Sequence, residues 1–93
     1  MAQRLYLILY DISSPKRWRK VYRRLLRQGA WAQLSAFYCR LGPAERDALE
    51  SELRALLHPL EDRLIIAELG LQADGVRCLG TMAAPPQARL RIV

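Results

Sequence analysis

The sequence has no long apolar run. Its early apolar stretch, residues 5–10, is only six residues long and ends at Asp11. Six residues are too few for the core of a signal peptide and far too few for a membrane-spanning helix. We therefore expect a cytoplasmic protein.

Cysteine and histidine are scarce. Cys39 and Cys78 lie far apart, without a Cys-x-x-Cys pair or a pair of histidines nearby, which argues against a zinc ribbon and a disulfide framework. Both are expected to be small, buried, apolar residues. The single histidine, His58, precedes a proline and supports no serine as a nucleophile. A role as a helix C-terminal cap is expected for it.

Acidic residues are nearly absent from the first half of the chain. The 93 residues carry 15 Lys and Arg against 9 Asp and Glu, giving a net charge of +6 and a pI near 10.0. Residues 1–42 contain nine of the basic residues and one acid, Asp11, whereas residues 43–93 have a net charge of −2. This bias favours a polyanionic partner, nucleic acid ahead of an anionic membrane surface.

The length allows one domain, with a core over about residues 3–70 and a tail over 71–93. Its apolar content is that of a folded protein rather than a disordered one. A core of this size leaves part of its apolar surface uncovered. We therefore predict self-association, most simply as a twofold dimer.

The first third of the chain predicts a strand and an amphipathic helix. Residues 4–10 form a short continuous run typical of a central strand. A hydroxyl followed by Pro15 marks a helix start, and a helix is predicted over 15–28, with Gly29 as its left-handed cap. Its apolar positions repeat with helical spacing at Trp18, Val21, Tyr22, Leu25 and Leu26.

The remaining pattern predicts more strand and a second helix. Residues 30–41 are typical of strand, either one long bent strand or two short paired ones, and the sequence leaves both open. An acidic helix is predicted from Pro43 to about Leu57, followed by a strand over 63–69. This order predicts a ferredoxin-like βαββαβ sandwich of class α+β, with two helices on one face of an antiparallel sheet. Because that fold hosts many functions, the function has to be argued from particular residues.

The outer face of the first helix is densely cationic. Like charges at this density repel one another unless a polyanion neutralises them, and surface helices usually mix both signs. We predict that this face binds the phosphate backbone of nucleic acid, the alternative being a merely solvated face. No base-reading motif accompanies it, so binding should depend on backbone and shape. The seven cations are Lys16, Arg17, Arg19, Lys20, Arg23, Arg24 and Arg27.

Asp11 is the only acid among the first 44 residues, and it stands at the end of a strand just before the basic helix. A carboxylate there could hold Mg²⁺ or another divalent cation against a phosphate, and so act catalytically. The alternative is a local cap or a surface ion pair. Because hard cations need several oxygen ligands, a metal site would require the Asp11 of a second protomer, a phosphate or water.

Several short motifs occur in a characteristic order. They are Leu9-Tyr-Asp-Ile-Ser13, the stretch from Pro15 to Leu26, Gly29, Gln33-Leu-Ser-Ala-Phe37 and Glu61-Asp-Arg63. In order and spacing, over roughly residues 3–70, the chain resembles the CRISPR-associated Cas2 family, the second universal Cas protein.

The resemblance implies a homodimer that acts in the acquisition of new CRISPR spacers, bridges dimers of the Cas1 integrase and holds incoming DNA. Members are also described as magnesium-dependent endonucleases, and the family's metal-binding aspartate corresponds to Asp11, at the dimer interface. The family's DNA-contacting surface corresponds to the cations of the first helix. Residues 90–93 correspond to an extra C-terminal strand that could be exchanged between protomers.

In one motif the chain departs from the family pattern. Where the family often has Gln-x-Ser-Val-Phe-Glu, this sequence has Gln33-Leu-Ser-Ala-Phe-Tyr38, so a second acidic group is missing. The departure weakens the prediction of hydrolysis more than that of a DNA-binding scaffold. A toxin-type RNA interferase, or an RNA-binding module of the same fold, is the alternative function.

Overall fold

Six regular elements follow one another in the computed structural model, which describes residues 3–33, 35–72 and 74–80. Their order, strand–helix–strand–strand–helix–strand, is the predicted one. They are β1 (Arg4–Asp11), α1 (Pro15–Leu26), β2 (Gly29–Gln33), β3 (Ala36–Leu41), α2 (Pro43–Leu56) and β4 (Arg63–Gly70).

The four strands form one sheet in the order β2-β3-β1-β4, and every neighbouring pair is antiparallel. The apolar run of β1 is therefore central, as predicted. Both helices cover the same face of the sheet, because buried residues of α1 and α2 share one core cluster with β1 and β3. The ferredoxin-like α+β prediction is confirmed. The predicted extra strand at 90–93 lies outside the described residues.

Residues 30–41 form two strands rather than one bent strand. The chain turns near Ser35, and β2 pairs with β3 in a register that shifts between Trp31 and Gln33. Two side-chain and backbone contacts hold this turn against the rest of the fold: the Trp18 indole N–H donates to Ser35 Oγ at 3.3 Å, and the Tyr10 amide donates to the Ser35 carbonyl at 3.1 Å.

The predicted role of Gly29 as a left-handed helix cap is wrong. Helix α1 already ends at Leu26, and Gly29 opens β2 without the positive φ that such a cap needs. A Cβ at Gly29 would lie 2.0 Å from the Tyr38 carbonyl oxygen and 2.7 Å from Cys39 Sγ. Glycine is needed there because β3 approaches closely, which a local sequence pattern does not reveal.

The predicted capping role of His58 is also wrong. Helix α2 is capped at Leu57, and the His58 ring accepts a hydrogen bond from the Leu60 amide at 3.1 Å. The imidazole thus stabilises the turn that follows the helix. The helix starts agree with prediction: Ser14 Oγ accepts from the Arg17 amide at 3.3 Å at the start of α1, and Pro43 is in the first turn of α2.

The sheet face opposite the helices, here called the free face, is apolar. Buried residues of β1, β2 and β3 form a second cluster there, with Leu7, Leu9, Leu69 and Val76 packed at its margin. Ile65 on β4 is 59% exposed. Within the described ranges, no helix is long and apolar enough to cross a bilayer.

The two cysteines are not joined in a disulfide. Cys39 is buried in the core under the helices, where desolvation raises the pKa of its thiol to about 12. Cys78 is half-buried, and its Sγ lies 3.8 Å from the Tyr38 hydroxyl. The predicted burial is therefore confirmed fully for Cys39 and in part for Cys78.

Candidate nucleic-acid interface and metal position

Helix α1 has one buried edge and a broad cationic outer surface. Val21 and Leu25 are buried against the sheet, and Ser14 and Pro15 begin the helix as the sequence predicts. Five of the seven predicted cations are exposed, and none of the five has a hydrogen bond or ion pair to another described side chain. These five, here called the free cations, are Lys16, Arg19, Lys20, Arg23 and Arg27.

Arg17 differs from the free cations because it is held by acids near the start of β4. Its guanidinium donates to Asp62 at 2.7 Å and to Glu61 at 2.9 Å. The pKa of Asp62 lies well below its usual range, first because of the Arg17 hydrogen bond and then because of donation from backbone amides. The charge of Arg17 is thereby neutralised within the fold.

Arg24 is likewise engaged within the fold. It donates to the two carboxylate oxygens of Glu52 on α2 at 2.5 and 3.1 Å, and to the Gln28 side chain at 3.2 Å. The hydrogen bond from Arg24 is the main reason why the pKa of Glu52 is lowered. A bidentate pair of this kind fixes the two helices relative to each other. Of the seven predicted nucleic-acid contacts, Arg17 and Arg24 are thus the two that are already ion-paired within the fold.

The free cations form a stripe along the helix. Lys16, Lys20, Arg23 and Arg27 recur at intervals of four, three and four residues, which places them along one side of an α-helix. Eleven residues of helix span about 16 Å at about 1.5 Å per residue. Arg19 lies one turn before Arg23 and widens the stripe. A row of separated positive charges of this length matches a run of phosphates better than a single small anion.

Asp11 is the last residue of β1 and is exposed, directly opposite Arg63 of β4 in the ladder. Strand alternation puts it on the free face with Leu7 and Leu9. Its carboxylate has no hydrogen bond or ion pair to any residue that the structure describes. It borders an open groove of about 380 Å³ that Gln33 and Ser35 also line.

The structure does not bring Asp11 together with the free cations. The helices cover one face of the sheet, whereas Asp11 belongs to the other. The local sequence suggested one combined site because Asp11 stands only five residues before Lys16. In three dimensions a chain reversal through residues 12–14 separates a cationic surface from a lone carboxylate.

A single chain offers an incomplete metal site. No cluster of three or more His, Cys, Asp or Glu side chains suited to a metal occurs among the described residues. The groove of Asp11 offers carboxylate, amide and hydroxyl oxygens, which are the type that Mg²⁺ accepts, and the cationic Arg63 lines the same groove. The oxygen donors therefore suit a hard cation, but one carboxylate beside Arg63 is too few charged ligands, so a metal site would need the Asp11 of a second protomer, a phosphate or water.

Comparison with known proteins decides the family. The sequence model of the family described as CRISPR associated protein Cas2 matches residues 4–75. The chain belongs to the Cas2 family. The Rhodospirillum rubrum protein named CRISPR-associated endoribonuclease Cas2 1 is 40% identical over 73 residues, 78% of this chain and 72% of that protein. A Geobacter sulfurreducens protein with the name CRISPR-associated endoribonuclease Cas2 is 34% identical over 68 residues, 73% of this chain and 72% of that protein.

Solved structures agree with the Cas2 assignment. The Thermus thermophilus protein TT1823, described as hypothetical, is 33% identical with a TM-score of 0.82, covering 90% of this chain and 99% of that one. Streptococcus pyogenes Cas2 is 28% identical with a TM-score of 0.73, covering 82% of this chain and 99% of that one. The predicted family resemblance over about residues 3–70 is confirmed.

The aromatic residues of this Cas2 chain are mostly structural. Trp18 and Tyr22 stack at 5.1 Å between ring centroids, and Tyr22 meets Phe37 edge-on at 5.5 Å. Tyr38 is buried in the cluster of the free face. Trp31 on β2 differs from these, since about half of it is exposed, at 49%. Most of these aromatic side chains therefore serve packing within the fold.

Sequence reasoning missed the importance of Asp62. The motif Glu61-Asp-Arg63 contributed only to the resemblance to the Cas2 family, and no role was predicted for its central residue, Asp62. In the structure the side chain of Asp62 is 0% exposed and joins its own α2–β4 loop to the distant residues Ser13 and Arg17. The available signal was an acid immediately before a strand, at a position where a solvent-exposed charge would be expected.

Proposed function

We propose that this Cas2 chain works in CRISPR spacer acquisition as a DNA-binding homodimer that bridges the Cas1 integrase. The observation that carries the proposal is the stripe of five exposed, unpaired cations on α1. A folded protein gains nothing from such a stripe by itself, because its charges repel one another. Neutralisation by a phosphate backbone removes that repulsion and releases counterions.

The stripe fits backbone recognition rather than base reading. Its members are Lys and Arg on one exposed helix surface, and the sequence shows no base-reading motif beside them. Phosphate contacts of this kind bind many sequences about equally, which suits a protein that holds DNA of varied sequence. Binding should therefore weaken steeply as the salt concentration rises.

The free face supports the homodimer. Leu7, Leu9 and Ile65 leave apolar area open to solvent on one side of the sheet, and a second copy is the partner that the Cas2 family suggests. Ile65→Asp should shift the chain to a monomer in sedimentation experiments. Leu60→Asp is the matched control, since Leu60 is an exposed apolar residue in the α2–β4 loop. An unchanged dimer in Ile65→Asp would rule out this face.

DNA binding can be tested with two double variants of equal net charge. Lys20→Glu/Arg23→Glu reverses two free cations, whereas Arg54→Glu/Arg77→Glu reverses two exposed arginines elsewhere. The first should weaken duplex DNA binding by about tenfold or more near 0.1 M salt, and should lower the slope of log K against log salt by about 2. The second should leave the slope near that of the parent.

Equal effects of the two double variants would show that only net charge matters, and would contradict a specific role for α1. A strong preference for single-stranded RNA in the same titrations would favour the alternative, a toxin-type RNA interferase or RNA-binding module. Copurification of the Cas1 integrase with the parent chain tests the bridging role separately.

A second candidate function is a metal-dependent endonuclease. It is favoured by the unpartnered Asp11 carboxylate at the edge of the proposed dimer face, and by the relatives that are named endoribonucleases. In a twofold dimer two Asp11 side chains could hold one Mg²⁺ or a similar divalent cation. When bound, such a cation supplies Lewis-acid activation of a water nucleophile.

Asp11→Asn tests the endonuclease candidate, because it keeps the size of the side chain and removes the charge that a divalent cation needs. Hydrolysis of RNA or DNA by Asp11→Asn should fall below one hundredth of the parent rate in Mg²⁺. Its DNA affinity in EDTA should be unchanged, because Asp11 lies away from the free cations. Equal hydrolysis by variant and parent would indicate a contaminating nuclease.

A further inference from the structure

The buried carboxylate of Asp62 connects two stretches that are distant in sequence, residues 13–17 and the α2–β4 loop to which Asp62 itself belongs. Oδ1 accepts from the Ser13 amide at 3.2 Å, and Oδ2 accepts from the His58 amide at 2.8 Å. The Arg17 side chain donates to the same carboxylate from Nε at 2.7 Å and from Nη2 at 3.2 Å. One side chain thus ties the β1–α1 loop, the first turn of α1 and the α2–β4 loop.

These contacts continue the sheet where its ladder ends. The last residue pair between β1 and β4 is Asp11 opposite Arg63. Beyond that pair the Ser13 amide would have no strand partner, and the Asp62 carboxylate supplies the acceptor instead. The pair of Asp11 and Arg63 therefore has hydrogen bonds on both sides, the sheet on one and the Ser13–Asp62 contact on the other. Such a pair opens less readily than one at a free strand end.

The Arg17 guanidinium keeps this carboxylate ionised. Two donated hydrogen bonds from a charged group stabilise the anion, and a charged acceptor holds backbone amides more strongly than a neutral one. Within α1, Arg17 therefore serves the loop that follows β1 rather than the surface of free cations.

From this geometry we infer that Asp62, ion-paired with Arg17, is a positioning residue that fixes the backbone just after β1 and so sets where the strand end presents Asp11. We call the contacts of Asp62 with Ser13, Arg17 and His58 the clamp, and they belong to the fold whether or not a cation binds. The consequence of the clamp for a cation at Asp11 rests on the proposed function. Ligand position matters because metal affinity depends on groups that orient the ligands as well as on the ligands themselves.

The molecule contains a matched control for this inference. Arg24 and Glu52 form a second bidentate pair between α1 and another segment, and like Asp62 the acid accepts two hydrogen bonds from one arginine. Glu52 lies on α2 and contacts no residue of the loop after β1 in the described structure. Asp62→Asn and Glu52→Gln each replace a carboxylate by an amide of the same size.

Amide hydrogen exchange in the full chain tests the clamp without any metal. In Asp62→Asn the amides of Ser13, His58 and Asp11 should exchange about tenfold or more faster than in the parent, while amides within α2 keep their parent rates. In Glu52→Gln the Ser13 and Asp11 amides should stay protected. Equal exchange of these amides in the two variants would overturn the inference.

Cation binding tests the consequence, with Mn²⁺ alone as the probe because its paramagnetism broadens nearby NMR signals. Asp62→Asn should weaken Mn²⁺ binding near Asp11 by about tenfold, and Glu52→Gln should leave it unchanged. Parent-like Mn²⁺ affinity in Asp62→Asn would overturn the positioning role. If the parent itself binds no Mn²⁺, the metal proposal fails and hydrogen exchange still decides the clamp.

Arg17→Lys is a milder second variant for the case that Asp62→Asn fails to fold. Lysine keeps a positive charge near Asp62 but not the paired hydrogen bonds. In Arg17→Lys we expect a Ser13 exchange rate between the rates of the parent and of Asp62→Asn. We also expect a Mn²⁺ affinity between those of the same two proteins. A fully parent-like Arg17→Lys combined with a parent-like Asp62→Asn would contradict it.

Discussion

The two helices pack against the same face of the sheet, yet their outer surfaces differ. Helix α2 carries acids and bases that neutralise one another locally, as in the pair of Arg54 and Glu50 at 2.7 Å, one turn apart. Helix α1 with its C-cap residue Arg27 has no acid of its own and leaves five of seven cations without an ion pair or hydrogen bond to a described side chain. Both helices bury apolar side chains in the same core cluster. Only α1 retains charge that the fold does not use, and that difference is the basis for assigning it the nucleic-acid surface.

The strongest test of this comparison concerns what the helices share. Leu25 of α1 and Leu53 of α2 are both fully buried in one cluster. Leu25→Ala and Leu53→Ala should each lower the free energy of unfolding by about 2–5 kcal/mol, measured by denaturant titration. A loss below about 1 kcal/mol for one of them would show that the helices do not contribute equally to the core.

A second test separates free from paired cations within α1. Lys20→Gln/Arg23→Gln should lower the salt slope of DNA binding by about 2 with little change in stability. Arg24→Gln should leave the slope unchanged and lower the free energy of unfolding by about 0.5–1 kcal/mol, since it breaks the pair with Glu52. If Arg24→Gln lowers the slope as much per charge as the free cations do, the division of α1 into two groups is wrong.

A third test uses pH, because Asp62, one of the two acids paired with Arg17, has a lowered pKa. The folded pKa of Asp62 lies below its unfolded value, so its contribution to stability is full above the unfolded pKa and is lost as pH falls further. The melting temperature of the parent should therefore drop below about pH 4 more steeply than that of Asp62→Asn. Parallel melting curves from pH 7 to pH 2 would contradict the role of this pair.

The smallest effect is expected on α2. Arg54→Gln removes an exposed pair with Glu50 that water already screens. The free energy of unfolding should change by less than about 0.5 kcal/mol, and DNA affinity should stay at the parent value. A clear loss of DNA binding in this variant would extend the interface to α2 and weaken the contrast between the helices.

Much of the fold follows from local patterns. The apolar run that became β1, the helical repeat of α1 and the helix starts at Ser14 and Pro43 each depend on residues close in sequence. The predictions for Gly29 and His58 failed for the opposite reason. Glycine is needed at position 29 because β3, about ten residues later, passes too close for a Cβ. The His58 ring accepts a hydrogen bond within the turn after α2, and Asp62 accepts from the His58 amide in that turn.

The candidate site shows the same division. Strand alternation in the sequence is enough to place Asp11 with Leu7 and Leu9, but not to show that this face lies opposite the cations. Seven cations could be counted along α1, yet the sequence could not show which of them are already paired. The partners of Arg17 and Arg24 are 45 and 28 residues away, and charges so far apart meet only when the chain folds.

The sequence by itself determined the order of strands and helices, the amphipathic repeat of α1 and the excess of positive charge in the first half, because each depends on spacing or composition. Only the tertiary structure decided which charges are neutralised, which face of the sheet the two helices leave uncovered and how Asp62 holds the loop that follows β1. Those features arise from contacts between distant segments, and hydrogen bonds and ion pairs form only at distances that the complete fold sets.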